Sequence, residues 1–158
     1  MHKIVIILFF PFFLFGQSYS IDDYNLFESG LSNEFEISKN TYYNSYDTCY
    51  VEWEVIKRTM PVEWEISFCF PNCYPIGIVN SQHTFLPNQQ GYLNSHIYPN
   101  NVAGEGEIEM KIVTNSIKTD TVKWHFLVTN LTSVYESKPY YFNSTYDIYD
   151  FSGKKVLE

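Results

Sequence analysis

Hydrophobic and polar residues alternate along most of the chain. Over residues 49–56, Val51, Trp53 and Val55 occupy every second position and glutamates stand between them. Residues 62–70 repeat the pattern. A period of two is typical of a β-strand with one face in a core and the other in water. Because only residues 57–61 separate these two runs, we expect them to form an antiparallel hairpin.

Four further segments alternate in the same way, at residues 34–38, 91–98, 107–113 and 121–129. Between the runs lie stretches rich in Asn, Gly and Pro, which favour turns. Many short strands without helical periodicity predict an all-β protein, specifically an immunoglobulin-like antiparallel β-sandwich. The side chains expected to point inward are Phe35, Ile37, Val51, Trp53, Val55, Val62, Trp64, Ile66, Phe68, Leu93, Ser95, Ile97, Ile108, Met110, Ile112, Val122, Trp124, Phe126 and Val128.

Residues 1–20 have the layout of a secretory signal peptide. Lys3 precedes an apolar run over residues 4–15, and small residues follow at Gly16, Ser18 and Ser20. The apolar run is shorter than the roughly 20 residues that a membrane-spanning helix needs. We therefore expect cleavage, after Gly16 or after Ser20, and no transmembrane segment in the exported chain. The domain prediction is a signal peptide at 1–20 and a β-sandwich at 21–132.

Composition narrows the possible functions. The 158 residues carry a formal net charge of −8, and 19% of them are aromatic. An acidic chain without a basic stripe argues against nucleic-acid binding. The aromatic content argues against disorder, and the length allows one domain of ordinary size.

The three cysteines are best interpreted in the oxidising environment that export implies. Cys69 and Cys73 enclose a short loop that contains the turn residues Pro71 and Asn72, so we expect a disulfide between them. Cys49 is then left over. It could be a buried free thiol, or it could pair with another chain or with one of the loop cysteines.

Two sets of side chains could carry chemistry. Glycosidases use paired carboxylates, and such pairs could be formed by Glu52, Glu54, Glu63 and Glu65. Outward glutamates on paired strands, however, form a solvated face and discourage edge pairing. A copper site needs histidines and a cysteine thiolate, and the candidate histidines are His83, His96 and His125. Oxidation of the two loop cysteines to a disulfide would remove the thiolate. We expect no catalytic residues, no metal and no cofactor.

Several motifs together resemble a small extracellular β-sandwich domain of bacterial proteins exported by the type IX secretion system. In that group a tryptophan precedes a cysteine pair, and a His-x-x-Pro-Asn strand leads into a Gly-x-Gly turn. The resemblance covers residues 51–128 and implies an immunoglobulin-like sandwich without known catalysis. It does not account for Cys49. The matching segments are residues 64–69, 72–75, 85–87, 96–100 and 103–106.

A second resemblance lies in residues 146–156, which are similar to the middle of a type A sorting domain of the same system. There an alternating strand ends in a Ser-Gly-Lys turn; the matching residues here are Tyr149, Asp150, Ser152, Gly153 and Lys154. The usual opening Asn-Pro element is missing before Tyr140. We therefore interpret residues 133–158 as a partial sorting-domain-like segment, the alternative being an ordinary last hairpin.

These observations predict a non-catalytic β-sandwich module, secreted or displayed on the surface of a Gram-negative bacterium, or periplasmic if the sorting tail is absent. The implied partners are the type IX machinery, if the sorting tail is complete, and an extracellular protein or glycan. The alternative function is a carbohydrate-binding module that uses exposed tyrosines. The tyrosines considered for it are Tyr42, Tyr43, Tyr46, Tyr50, Tyr74, Tyr92, Tyr98, Tyr140 and Tyr141.

Overall fold

The computed structural model describes residues 17–131, and these residues form a β-sandwich of two sheets. This confirms the all-β, immunoglobulin-like prediction. The strands are β1 (Tyr19–Ile21), β2 (Asn25–Leu31), β3 (Ile37–Ser45), β4 (Cys49–Thr59), β5 (Glu65–Cys69), β6 (Asn80–Phe85), β7 (Gln90–Tyr98), β8 (Gly104–Thr114) and β9 (Lys118–Thr129).

The two sheets differ in size. The four-stranded sheet has the order β1-β3-β7-β5, and the five-stranded sheet has the order β2-β9-β8-β4-β6. All pairings are antiparallel except that of β2 with β9, which is parallel. Within residues 17–131 there is no helix with the length and apolarity needed to cross a bilayer.

The inward faces of both sheets meet in one aromatic core. All three tryptophans are buried in it, as the alternation predicts. Trp124 of β9 lies against Phe68 of β5, with ring centroids 6.3 Å apart, and Trp53 of β4 lies 5.8 Å from the same ring. Burial of rings of this size supplies much of the apolar area that holds the sheets together.

The predicted hairpin between residues 49–56 and 62–70 is wrong. β4 belongs to the five-stranded sheet and β5 to the four-stranded sheet, so the intervening chain crosses from one sheet to the other. Val62 lies in this crossing and is 92% exposed. Trp64, at its end, is buried and donates its Nε1 hydrogen to the carbonyl oxygen of Val102 at 2.8 Å.

A second error concerns the strand predicted at residues 34–38. β3 begins only at Ile37, which is buried, whereas Phe35 precedes the strand and is 85% exposed. Phe35 lies edge-on to Tyr98, with ring centroids 5.7 Å apart. It therefore contributes to the outer surface of the four-stranded sheet and not to the core.

The first strand includes residues that the 1–20 boundary assigned to the signal peptide. Tyr19 of β1 is 1% exposed and stacks on Tyr43, with ring centroids 4.9 Å apart. The carbonyl oxygen of Ser18 accepts hydrogen bonds from the backbone amides of Tyr46 and Asp47 at 2.8 and 3.2 Å. These contacts make residues 18–20 part of the sandwich.

The cysteines are arranged as the first of the predicted alternatives. Cys69 and Cys73 form a disulfide, and Cys49 is a buried free thiol. The Cys49 thiol lies 3.4 Å from the carbonyl oxygen of Ser18.

Candidate functional site

The outer faces of the two sheets differ sharply in chemistry. On the five-stranded sheet, charged side chains of neighbouring strands pair with one another. Lys57 lies 2.7 Å from Glu107, Lys123 lies 2.9 Å from Glu109, and Lys111 pairs with Glu54. The pairing with Lys57 lowers the pKa of the Glu107 carboxyl and raises that of the Lys57 amine.

Two shallow depressions on this charged face include some of the same side chains, Glu54 and Lys111 in one and Glu107 in the other. The larger has a volume of about 510 Å³ and is bordered by Glu52, Glu54, Gln82 and Lys111. Because the Glu54 carboxylate already pairs with Lys111, it is not a free acid or base. The four glutamates considered as catalytic pairs are also divided, since Glu65 lies on β5 of the other sheet.

The four-stranded sheet presents a face on which amides, hydroxyls and tyrosine rings outnumber charged side chains. Alternate residues of β3, β5 and β7 point outward there, because their neighbours Ile37, Ile66 and Ile97 are in the core. We call this the amide–tyrosine face. Its members are Ser38, Asn40, Tyr42, Asn44, Glu65, Ser67, Cys69, Gln90, Tyr92, Asn94, His96 and Tyr98.

Strand pairing places His96 at the centre of this face. Its direct partners are Ser38 on β3 and Ser67 on β5. The ring Nδ1 lies 2.6 Å from Oε1 of Glu36, which immediately precedes β3. The other nitrogen, Nε2, lies 3.1 Å from Nδ2 of Asn94 and 3.3 Å from Sγ of Cys69.

Asn94 is buried although it points outward. Its amide nitrogen donates a hydrogen bond to the hydroxyl of Tyr92 at 2.9 Å. Its Oδ1 is buried without a hydrogen-bond partner among residues 17–131. A buried polar atom left without a partner is uncommon in a folded protein; among the described residues, Trp53 Nε1 and Ser95 Oγ are also in this state.

The tyrosines considered for sugar binding are dispersed. Tyr42, Tyr92 and Tyr98 lie on the amide–tyrosine face; Tyr43 is in the core, Tyr50 is on the five-stranded sheet and Tyr74 packs against Trp53. Tyr46 follows β3, where its hydroxyl lies 2.8 Å from Ser20 Oγ. The rings of Tyr42 and Tyr92 are 5.9 Å apart and tilted by 56°, so they do not form one flat platform. Tyr140 and Tyr141 lie outside the described residues.

Two further points concern metal binding and the sorting-like segment. In the part of the chain that the structure describes, no group of three or more His, Cys, Asp or Glu side chains is placed to hold a metal ion. The five sorting-like residues lie outside residues 17–131; they are Tyr149, Asp150, Ser152, Gly153 and Lys154.

The sequence contained only part of this site. From the sequence, His96 is a candidate metal ligand and part of a resemblance, and the short loop between Cys69 and Cys73 predicts their bridge. The contact between them depends on the pairing of β5 with β7, and Glu36 enters from a segment 60 residues away. The signal in the sequence was that Asn94 and His96 stand two positions apart on an alternating strand and therefore share one face.

Comparisons with known proteins identify the fold alone. No protein family matches the chain, and no curated protein matches it. Among solved structures, the N-terminal domain of PorA is similar with a TM-score of 0.55 and 15% identity, over 66% of this chain and 87% of that domain. The human CEP192 PapD-like domain 7 has a TM-score of 0.47 and 9% identity, over 82% of this chain and 99% of that one. A protein of unknown function from Porphyromonas gingivalis W83 has a TM-score of 0.45 and 11% identity, over 75% of this chain and 50% of that one. The chain therefore has the β-sandwich fold found in the N-terminal domain of PorA.

Proposed function

We propose that this chain is an exported, non-catalytic β-sandwich module that binds an extracellular protein through the amide–tyrosine face. The observation that carries the proposal is the contrast between the two outer faces. One face is covered with charges that pair with one another. The other exposes tyrosine rings and amides, with Glu65 as the carboxylate on its strands and with Glu36 and Asp22 beside it, hydrogen-bonded to His96 and Asn44.

The composition of this face supports a contact surface. Tyrosine is enriched in the cores of protein interfaces, and Lys, Glu and Asp are depleted there. Tyr92 is 39% exposed, and Phe35 adds an exposed ring beside Tyr98. Because the side chains rise from paired strands, the surface is largely preformed, and little conformational entropy is lost on binding.

A matched pair of tyrosines tests the proposed surface. Tyr92 is 39% exposed on the amide–tyrosine face, and Tyr50 is 38% exposed on the opposite face. A photo-crosslinking amino acid would replace each in turn, and the exported protein would be irradiated on cells that produce it. We expect one discrete protein adduct from position 92 and none from position 50. Equal labelling at both positions, or no adduct at 92, would contradict the proposal.

Glycan binding is the second candidate, and the Tyr42–Tyr92 pair flanked by asparagines favours it. Tyrosine rings can pack on sugar rings while amides bond to hydroxyls. Retention on insoluble polysaccharides should then fall at least about tenfold in Tyr92→Ala, the loss of roughly one aromatic contact, and should be unchanged in Tyr50→Ala. Equal retention of both variants would exclude this use of the face.

Export is proposed with a signal peptide that ends at Gly16, the earlier of the two boundaries considered. The burial of Tyr19 and the hydrogen bonds to Ser18 support this choice, because cleavage after Ser20 would remove both from the sandwich. We expect the exported protein to begin at Gln17, as determined by amino-terminal sequencing. An amino terminus at Ile21 would refute this boundary.

Surface sorting is proposed for residues 133–158 on the strength of their resemblance to a type A sorting domain. The test fuses this segment to an exported reporter in a type IX-competent bacterium. Release of the reporter outside the outer membrane is expected, and replacement of Ser152, Gly153 and Lys154 by alanine should retain it in the periplasm. Periplasmic retention of the unaltered fusion would favour the last-hairpin alternative and a periplasmic protein.

A further inference from the structure

The two cysteines of the disulfide have different surroundings. Cys69, at the end of β5, is 3% exposed, whereas Cys73 lies in the following loop and is exposed. An incoming thiolate attacks one sulfur of a disulfide and releases the other. Because Cys73 is the exposed residue of the pair, attack at its sulfur would release the sulfur of Cys69.

A histidine adjoins the sulfur that would be released. His96 Nε2 lies 3.3 Å from Cys69 Sγ, and the carboxylate of Glu36 lies 2.6 Å from Nδ1 on the opposite side of the ring. The carboxylate accepts the Nδ1 hydrogen and fixes the orientation of the ring, as in other carboxylate–histidine arrangements. Nε2 is therefore the nitrogen available to exchange a proton with sulfur.

We propose that the Cys69–Cys73 disulfide exchanges with an external small-molecule thiol, and that His96 supplies the proton to the Cys69 sulfur. The external thiolate attacks Cys73 Sγ in line with the bridge and forms a mixed disulfide. The Cys69–Cys73 bond breaks, and its electron pair passes to Cys69 Sγ. When the His96 ring carries a hydrogen on both nitrogens, it transfers the Nε2 hydrogen to this sulfur, which leaves a Cys69 thiol and a neutral imidazole.

Asn94 is placed to hydrogen-bond to the His96 ring after the proton transfer. Its Nδ2 lies 3.1 Å from Nε2 and donates a hydrogen bond to the lone pair of the neutral imidazole. Rotation of the amide by half a turn would instead bring Oδ1 to the Nε2 hydrogen of the protonated ring. Oδ1 has no partner within the described residues, so the rotation breaks no hydrogen bond of that oxygen. The bond from Nδ2 to the Tyr92 hydroxyl would be replaced by one that this hydroxyl donates to Oδ1.

The roles of the two sulfurs can be tested on the unaltered protein. The oxidised protein is incubated with reduced glutathione without denaturant, free thiols are alkylated, and the adducts are mapped by mass spectrometry. We expect glutathione on Cys73 and the alkyl group on Cys69, with an initial rate proportional to glutathione concentration. Glutathione on Cys69, or a rate that is independent of glutathione because it is limited by unfolding, would overturn the proposal.

The role of His96 is tested with matched glutamine variants. His125→Gln is the control, since His125 is an exposed histidine on the outer face of the five-stranded sheet. At one pH, His96→Gln should slow the exchange by about tenfold or more, as expected when a positioned proton donor is lost, and His125→Gln should leave it unchanged. Thermal midpoints of the oxidised variants show that each is folded, and His96→Asn replaces His96→Gln if the latter does not fold. Exchange at the unaltered rate in the folded His96 variant would refute the role.

Discussion

Trp124 connects the two sheets by both packing and hydrogen bonding. It is fully buried on β9, and its Nε1 donates to the carbonyl oxygen of Lys39 on β3 at 2.9 Å. Trp124→Ala removes the ring and leaves the Lys39 carbonyl oxygen without this donor. We expect a loss of about 3–5 kcal/mol in the free energy of unfolding, typical of large aromatic truncations in a core, measured by urea denaturation.

Substitution of Val62 is the control for Trp124→Ala. It was expected to point inward, but it is 92% exposed in the crossing between the sheets. Val62→Ala should change the free energy of unfolding by no more than about 0.5 kcal/mol. A loss similar to that of Trp124→Ala would mean that Val62 packs against the core and is not exposed in the crossing.

Tyr43 makes the stability of the fold sensitive to alkali. Burial is the main cause that raises the pKa of its hydroxyl, and the neighbouring Cys49 and Tyr19 raise it further, while a hydrogen bond with Thr114 opposes them. An unfolded tyrosine loses its proton near pH 10, whereas the folded one keeps it. The unfolded state then binds fewer protons, so the contribution of Tyr43 is present below about pH 10 and is lost as the pH rises further.

Tyr43→Phe isolates this contribution. Between about pH 8 and about pH 11, which brackets the ordinary tyrosine pKa, the urea midpoint of the unaltered protein should fall more steeply than that of the variant. Tyr19 retains its own alkaline sensitivity in both proteins, because burial and a hydrogen bond to Asp120 also raise its pKa. Parallel slopes for the two proteins would contradict the assignment to Tyr43.

The crossing from β4 to β5 depends on the close approach of Trp64 to the backbone of β8. A Cβ atom built on Gly106 would lie 2.7 Å from the Trp64 ring and 3.3 Å from Met60 Cβ. The Gly-x-Gly segment of the resemblance is thus the start of β8, where the absence of a side chain admits Trp64. Gly106→Ala should cost about 1–3 kcal/mol through overpacking.

Glu105→Ala is the neighbouring control for this substitution. Glu105 lies on the same strand but is exposed, so its removal should change the urea midpoint little. If Gly106→Ala were equally neutral, Trp64 would have to be able to move away from β8. The loss of its 2.8 Å hydrogen bond to Val102 would then be visible as a change in tryptophan emission.

The elements differ in how far the sequence could predict them. Alternation correctly identified β4, β7, β8 and β9, because half-buried strands must alternate. It did not identify β6, whose residues 80–84 are all polar, and it left the start of the domain open. Alternation also cannot show whether a short connection returns to the same sheet or crosses to the other, which is why the β4–β5 hairpin was wrong. The His96 site shares this limit, because its contacts depend on the register of three strands and on Glu36.

For the whole molecule, the important feature is that both sheets bury their inner faces in one shared core. Trp53 and Trp124 belong to the five-stranded sheet, whereas Trp64 adjoins β5 of the four-stranded sheet. All three are in the same buried cluster. Neither sheet can lose its partner without exposing these rings to water, so we expect the sandwich to unfold in one cooperative step.

This expectation is tested by comparing probes of the whole domain during urea unfolding. Tryptophan emission reports the core between the sheets, and far-ultraviolet circular dichroism reports the strands themselves. We expect coincident midpoints for the oxidised protein, and again after reduction, because the Cys69–Cys73 loop is short and its closure contributes only about 2 kcal/mol. Reduction should shift both curves together to lower urea. Separate midpoints would mean that one sheet persists alone, which a single core shared by two sheets does not allow.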